Sequence, residues 1–360
     1  MTTSETTAIE NKDPAAHDVP FPPTLRIGTF SLVWHRRPVL VLIGAIVAAA
    51  CLIVAALALG EQNLSLATLV DVFGGGGSRS DRILVLDLRA NRVLAATLAG
   101  CALGTAGAIM QSVTRNPLAS PDILGITAGA SVGAVTVIAL SQNSDTHRPW
   151  VTPIGALVGG LAVAAAIALV SRGMDSLRMV LSGIAFSALC TAAVTYTLTV
   201  VPTDVAGSAF AWLAGSLNDR NAENLVPVAV ALGLAVPVLL AFARVLDMLS
   251  LGPVRAVTLG VPVAVGERVL LLTSVVLASA ATAAVGPIGF VAFVAPQIAR
   301  RIAATTAPPL ITSGVLGAFF VVGADTLIRS VLTWQPPIGA ATSVLGAPVL
   351  IYFLWKATRA

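Results

Sequence analysis

Along this chain the polar and charged positions are bunched, and between the bunches lie runs that hold no Asp, Glu, Lys or Arg. These runs are 38–60, 93–114, 123–144, 149–171, 179–203, 224–243, 269–299, 302–324 and 330–355. A helix needs about 20 apolar residues to cross roughly 30 Å of hydrocarbon. Eight of the runs fit one crossing each. The run 269–299 does not, because as one helix it would reach about 46 Å at 1.5 Å per residue. It contains Gly286, Pro287 and Gly289, which break a helix, so two shorter elements are expected to meet near 286–290. The pattern therefore predicts ten spans between 38 and 358.

Composition agrees with that pattern. The 360 residues are 56% hydrophobic and 11% charged, with a mean hydropathy of +0.91. A soluble domain carries roughly 25% charged residues. The implied class is an all-α integral membrane protein. With the N-terminus in the cytoplasm, ten crossings put fourteen Lys and Arg inside and seven outside. That bias predicts two cytoplasmic termini. Arg89, Arg92 and Arg329 then sit at outer span ends, where the rule disfavours them. The first 37 residues, polar and Pro-rich at the start, read as a disordered cytoplasmic tail. A cleavable signal peptide is disfavoured, because the charged region before the first run is long and the run itself exceeds an h-region.

Several chemistries find no footing. Cys51, Cys101 and Cys190 lie inside apolar runs without ligand spacing, and His17, His35 and His147 are scattered. No metal site, no catalytic residue and no cofactor is expected. The chain has no G-x-x-x-x-G-K-[ST] phosphate loop, so any ATP must be bound by a partner subunit. The "GGGG" at 74–77 reads as a flexible outer loop. Gly125, Gly129 and Gly133 recur every fourth residue, and Gly100, Gly104 and Gly107 nearly so. Such stripes let helix backbones approach closely in lipid. A loose Ala/Gly bias is the alternative.

One polar interruption is unusually specific. "MQSVTRNPLASPDILGITAGA" (110–130) breaks two apolar runs with an Asn-Pro and a Ser-Pro-Asp. Pro117 keeps Asn116 out of the helical region. Ser120 suits an N-cap, Pro121 the first turn and Asp122 the positive end of the helix dipole.

"NRVLAATLAGCALGTAGAIMQSVTRNPLASPDILGITAGASVGA", with Gln111, Asn116, Pro117 and Pro121 at its centre, closely resembles the hallmark region of FecCD-type permeases. These are membrane subunits of ABC importers for ferric siderophores, haem and vitamin B12. "LSLGPVRAVTLGV" at 249–261, "GPIGFVAFVAPQIAR" at 286–300 and "PPIGAATSVLGAPVLIYFL" at 336–354 resemble three further family segments. The resemblance covers about 38–358 in order.

The resemblance implies a vitamin-B12-importer-permease-like fold of ten helices. It implies pairing with a second permease subunit, identical or homologous. Two ATP-binding-cassette ATPases would dock on the cytoplasmic side and an extracytoplasmic siderophore-binding protein outside. The lipid bilayer is the remaining partner, and no nucleic acid is expected. By the same resemblance Arg89, Arg92 and Arg329 receive carboxylates of the binding protein, a role suited to bidentate docking and steering. Interfacial snorkelling is the alternative. Here "ANR" stands where the family has "LPR".

The segment 244–268 resembles the family's coupling helices, with Leu249, Leu251, Arg255, Ala256, Leu259 and Gly260 as contact candidates; an ordinary amphipathic loop is the alternative. Pro253 stands where the family often has an acidic residue, and Gln297 where His is usual. The fifth run, with Thr191, Thr195, Tyr196 and Thr199, is implied to line the pathway, and Ser176 to stand near the inner gate. Helix packing is the alternative for these polar groups. "GSAFAWLAGSLND" (207–219) resembles a short outer helix facing the binding protein.

The functional expectation is import of ferric siderophore across the cytoplasmic (inner) membrane by alternating access, driven by partner ATPases. Vitamin B12 or haem is the alternative cargo. An ion-coupled secondary transporter usually carries carboxylates near the midplane, and the charge-free runs have none. An intramembrane enzyme would need a His or Asp partner for a nucleophile inside a span, and none is present there.

Overall fold

A computed structural model describes residues 24–27, 30–33, 36–60, 62–141, 150–171, 176–218, 220, 222–250, 256, 258, 260, 262–332 and 336–357. Ten long helices follow the predicted runs in order. They are α1 (Arg36–Ala58), α4 (Asn91–Thr114), α5 (Ile126–Leu140), α6 (Val151–Val170), α7 (Ser176–Val200), α9 (Ala222–Ser250), α10 (Val263–Val285), α11 (Val291–Ala303), α12 (Leu310–Val331) and α13 (Ile338–Ala357). Among the described residues seven helices are long and apolar enough to cross a membrane, and α5 and α13 add shorter apolar helices; α11 is a 13-residue helix with Arg300 and Arg301 in its last turn. The long run does divide, at Gly286–Phe290, where Gly286 adopts φ +81° and Phe290 φ +66°. Between α1 and α4 lie α2 (Leu66–Phe73), α3 (Arg79–Arg82) and a π-helical stretch, Ile83–Ala90. The short α8 (Thr203–Leu213) follows α7.

The tail segment holds one surprise. Thr24–Ile27 pairs antiparallel with Phe30–Val33, within the stretch that composition assigns to a disordered tail. Ile27, Phe30, Leu32 and Val33 are among the strand-favouring or apolar residues of "TLRIGTFSLV", and they set it apart from the polar residues before it. Likewise 62–90 is no simple loop. Ser65 caps α2 by accepting from the Thr68 N–H at 3.1 Å, and Leu69, Val72 and Val85 close over Leu57. Gly74 ends α2 with its N–H on the Val70 carbonyl at 2.9 Å.

The core sits around α4, of whose 24 residues sixteen are buried, most of them Ala or Gly. It packs against α9, α10, α11 and α12. A Cβ on Gly100 would lie 2.5 Å from the Gly317 carbonyl oxygen of α12. One on Gly104 would strike the Ser313 carbonyl of α12, and one on Gly107 the Ala292 carbonyl of α11. A second close pair is α5 with α6, where Gly129 and Gly133 face Gly159 and Gly155. Backbones at this distance gain dispersion contacts that bulkier side chains would prevent.

Polarity is inverted relative to a water-soluble fold. Ser274, Ser279, Ser313 and Thr342 are fully buried, whereas Leu140, Leu189, Leu240 and Ile311 are largely exposed. The Ser274 hydroxyl donates to the Ala106 carbonyl at 2.8 Å and thereby ties α10 to α4. Large aliphatic groups face outward because lipid solvates them, while the interior is built from small residues that let helices approach closely.

Candidate functional site

At one end of the bundle four elements converge on a carboxylate. Asp325, on α12, is almost fully buried. Arg92, at the start of α4, donates to it from Nε at 3.0 and 3.1 Å and from Nη2 at 2.7 Å. Arg329, one turn after Asp325, donates from Nε at 2.9 Å and reaches the Ala56 carbonyl at 3.4 Å. The free Nη1 of Arg92 donates to Asn218 Oδ1, on the segment after α8. That segment is itself fastened by the Ser216 N–H on the Val285 carbonyl at 2.8 Å. Two guanidinium groups on one carboxylate leave a net positive charge beside a cavity of about 1000 Å³, which Asp87, Asn91, Arg92, Asn218 and Arg220 help to line.

Arg89 differs from its sequence reading as an exposed docking group. It is only 5% exposed, and its guanidinium donates to the carbonyls of Leu57 (2.7 Å), Ala58 (3.0 Å) and Gln62 (2.5 Å). It caps the C-terminus of α1 at the Leu57 and Ala58 carbonyls, the latter shared with the Leu64 N–H at 2.9 Å. The π-helical stretch sets the angle from which it does so.

Asp325 and Asn218 were not singled out from sequence. The charge-free run 302–324 stops at Asp325, yet α12 continues through Val331, so the spans do contain a carboxylate. The available signal was the i,i+4 spacing of Asp325 and Arg329. Paired in this way, Asp325 is a structural ion rather than a free midplane acid.

At the other end, the α4–α5 turn is locked by amides. Gln111 and Gln297 are each 3% exposed. Gln297 Nε2 donates to Gln111 Oε1 at 2.6 Å and to the Pro117 carbonyl at 2.8 Å, and Gln111 Nε2 donates to the Phe293 carbonyl at 3.3 Å. Arg300 donates to Gln297 Oε1 at 3.0 Å. Asn116 accepts from the Leu118 N–H at 2.9 Å, an Asx turn that fixes the exit from α4. Pro121 begins a separate turn, 121–125, and does not begin the helix: α5 starts at Ile126 after Gly125 in the left-handed region (φ +74°). Gly125 also meets α7 closely, at the Gly183 carbonyl.

Asp122, half-buried in that turn, has a shielded Oδ1 without a hydrogen-bond partner. Burial pushes its carboxyl up to about 6, with a Thr127 hydrogen bond opposing the shift. It lines a cavity of about 850 Å³ with Ile184, Ser187, Ala188, Thr191, Ala192 and Thr195 of α7. A second cavity, about 470 Å³, adjoins it and includes Phe290 and Phe293.

The pathway candidates fall on α7, most of whose surface is uncovered. Thr191, Thr195 and Thr199 donate to the carbonyls of Ser187, Thr191 and Thr195 at 2.8, 2.9 and 2.7 Å. Their hydroxyl protons therefore serve their own helix. Tyr196 is 70% exposed. Ser176 opens α7, and its side chain lies outside the described residues.

In the coupling segment, Leu251, Arg255 and Leu259 lie outside the described residues. Leu249 and Ala256 are wholly buried, so they face this chain's own core and not a docked partner. The reason is helix phase: α9 runs on to Ser250 and turns Leu249 inward. Gly260 is exposed, with φ +76° and open space where a Cβ would be.

Residues 30–356 match the FecCD transport family. The Fe(3+)-citrate import system permease protein YfmE of Bacillus subtilis (strain 168) is 35% identical over 89% of this chain and 96% of its own length. The ferric enterobactin transport system permease protein FepG of Escherichia coli (strain K12) is 34% identical over 83% of this chain and 91% of its own. The hemin transport system permease protein HmuU of Yersinia pestis is 39% identical over 84% and 92%. Among solved structures, an inward-facing metal-chelate type ABC transporter superposes with a TM-score of 0.77 at 26% identity, over 88% of this chain and 99% of that one.

Proposed function

The chain belongs to the FecCD transport family, and on that premise we propose that it is the permease subunit that carries a ferric siderophore across the cytoplasmic membrane. The coarser statement, a multi-pass permease of a metal-chelate ABC importer, follows from the family and from near full-length relatives. The observation that supports the siderophore reading is the range of those relatives: permeases named for ferric citrate, ferric enterobactin and iron hydroxamate each align over more than four-fifths of this chain. Haem is the second reading, favoured by the 39% identity to the hemin permease.

In this proposal two permeases pair across faces that include α7, and both termini are cytoplasmic. Partner ATPases bind and hydrolyse ATP, and their closure shifts the 244–268 segment, with Gly260 at its surface and Leu251, Arg255 and Leu259 as remaining contact candidates. The permeases then alternate between outward and inward access, and no bond in the cargo is broken. An extracytoplasmic binding protein delivers the chelate to the Arg92–Arg329 end. There, carboxylates of that protein engage Arg92 at the cavity rim, while Arg329 and Arg89 hold the rim from beneath. Affinity belongs to the binding protein, so the walls of the pathway need no charged ligand set. The threonines of α7, their protons committed to the helix, present methyl groups and acceptor oxygens to a passing chelate.

The test is uptake of radio-labelled iron, supplied as ferric citrate, a ferric catecholate or a ferric hydroxamate, in cells with and without this gene. Loss of one chelate, restored by the wild-type copy, supports the cargo class; because Arg92 also pairs with buried Asp325, docking is supported when an Arg92→Glu copy reaches the membrane at the wild-type level and still fails to restore uptake. Unchanged iron uptake with loss of haem or vitamin B12 uptake would remove the siderophore. Full restoration by Arg92→Glu would remove the docking role.

A further inference from the structure

Three helix ends gather five cations that the transport reading does not use. Arg36 and Arg37 open α1, Arg300 and Arg301 close α11, and Lys356 lies in the last turn of α13. Contacts between these ends hold the group together. Arg37 Nε donates to the Ile302 carbonyl at 3.0 Å, across 265 residues of sequence. The Arg301 guanidinium lies 4.1 Å from the centre of the Phe353 ring, one turn before Lys356. Neither α1, α11 nor α13 contains an Asp or Glu. The salt bridges among the described residues both involve Asp325, which is near the opposite end of α12. Among the described residues the cluster is therefore held in place without an acidic partner.

Gathering like charges is unfavourable unless something anionic sits among them. The surroundings indicate what that is. Leu40 (68% exposed), Ile302 (49%) and Tyr352 (51%) stand exposed on the same three helices. A small soluble anion would satisfy the cations and ignore this apolar collar. A ligand with an anionic head and long acyl chains satisfies both. Arginine forks suit phosphate oxygens, and basic pockets between spanning helices are suited to multiply charged headgroups. We propose that the ends of α1, α11 and α13 form a binding site for an anionic phospholipid carrying two phosphates. Arg37 and Arg301 clamp the phosphates, Arg36 and Lys356 flank them, and the acyl chains lie along Leu40 and Ile302.

The experiment is native mass spectrometry of the purified full chain in detergent. The added probes are a diphosphatidyl lipid, phosphatidylglycerol, phosphatidylcholine or inorganic phosphate. The variants are Arg37→Gln/Arg301→Gln, its charge-keeping counterpart Arg37→Lys/Arg301→Lys, and Arg79→Gln/Arg82→Gln on the outer segment. The expected result is preferential retention of the diphosphatidyl lipid by wild type. Removing two cations close to such a headgroup should lower its occupancy roughly thirty-fold. The lysine pair should keep most of it, and the Arg79/Arg82 pair should match wild type. Equal retention by the Arg37→Gln/Arg301→Gln protein overturns the site. So does retention of phosphatidylcholine as strong as that of the diphosphatidyl lipid, or full displacement of the lipid by inorganic phosphate. None of these outcomes depends on which cargo the importer carries.

Discussion

Replacing Asp325 by Ala isolates the ionic cluster in a single measurement. The carboxylate side chain is 4% exposed, against 8% for Arg329 and 16% for Arg92. It receives three close contacts from Arg92 and one from Arg329. Removing one member of a buried ion group costs about 3–5 kcal/mol, because the partners are left charged and unpaired. Arg92 keeps Asn218 and opens on the cavity of about 1000 Å³, which moderates its share. Arg329 keeps only the long contact to the Ala56 carbonyl. The expected loss is therefore near the lower bound, about 3 kcal/mol. Thermal unfolding of the detergent-purified protein reads it, with Asp325→Ala and Asp325→Ala/Arg329→Met side by side. The double variant removes the stranded charge, fills its volume with apolar atoms and should regain more than half of the loss. A double variant no better than the single one would refute the argument, since Arg329 would then not be the group that Asp325 stabilises.

Three further outcomes follow from the packing and the α4–α5 turn. Gly107→Ala drives a methyl group into the Ala292 carbonyl and should cost about 1–3 kcal/mol, whereas Gly207→Ala, inside α8 with open space at its Cβ, should melt no lower than wild type. Gln297→Leu leaves Gln111 Oε1 and the Pro117 carbonyl without their donor, so a loss of about 1–3 kcal/mol per orphaned group is expected in the same assay. Asp122 titrates near pH 6 in the folded protein, above its ordinary 3.8, so its contribution to stability falls as pH rises from about 4 to about 6 and then stays low. Asp122→Asn should accordingly melt higher than wild type at pH 8 and no differently at pH 4; a difference of equal size at both pH values would refute the desolvation account.

The spans were legible because lipid imposes a coarse rule, and charge-free runs trace it. The same rule hid Asp325. A charge ends a run whether or not an arginine more than 200 residues away neutralises it, and only the folded chain brings Arg92 there. Arg89 and Arg92 look alike in sequence, three residues apart. One caps α1 and the other joins Asp325 and Asn218, a division set by the π-helical stretch and by where α1 ends. The hallmark turn could be recognised from its prolines, but its reason could not. Pro117 matters for its carbonyl as well as its ring, because Gln297 of a distant helix holds that oxygen. Leu249 was misjudged because sequence does not reveal how far α9 continues, and hence which way its last turn faces.

The glycine seams also decide how the subunit can move. Helices joined backbone to backbone cannot slide past one another without parting, so α4 with α12 and α5 with α6 behave as two stiff plates. The direct covalent link from α4 to α5 is 115–125, with Arg115 at φ 51° at one end and Gly125 at φ 74° at the other. Gln297 holds that strap at Pro117, and α10 packs against α4 on one side and α5 and α6 on the other, so a rotation of one plate against the other has to work through both the strap and the α10 interface.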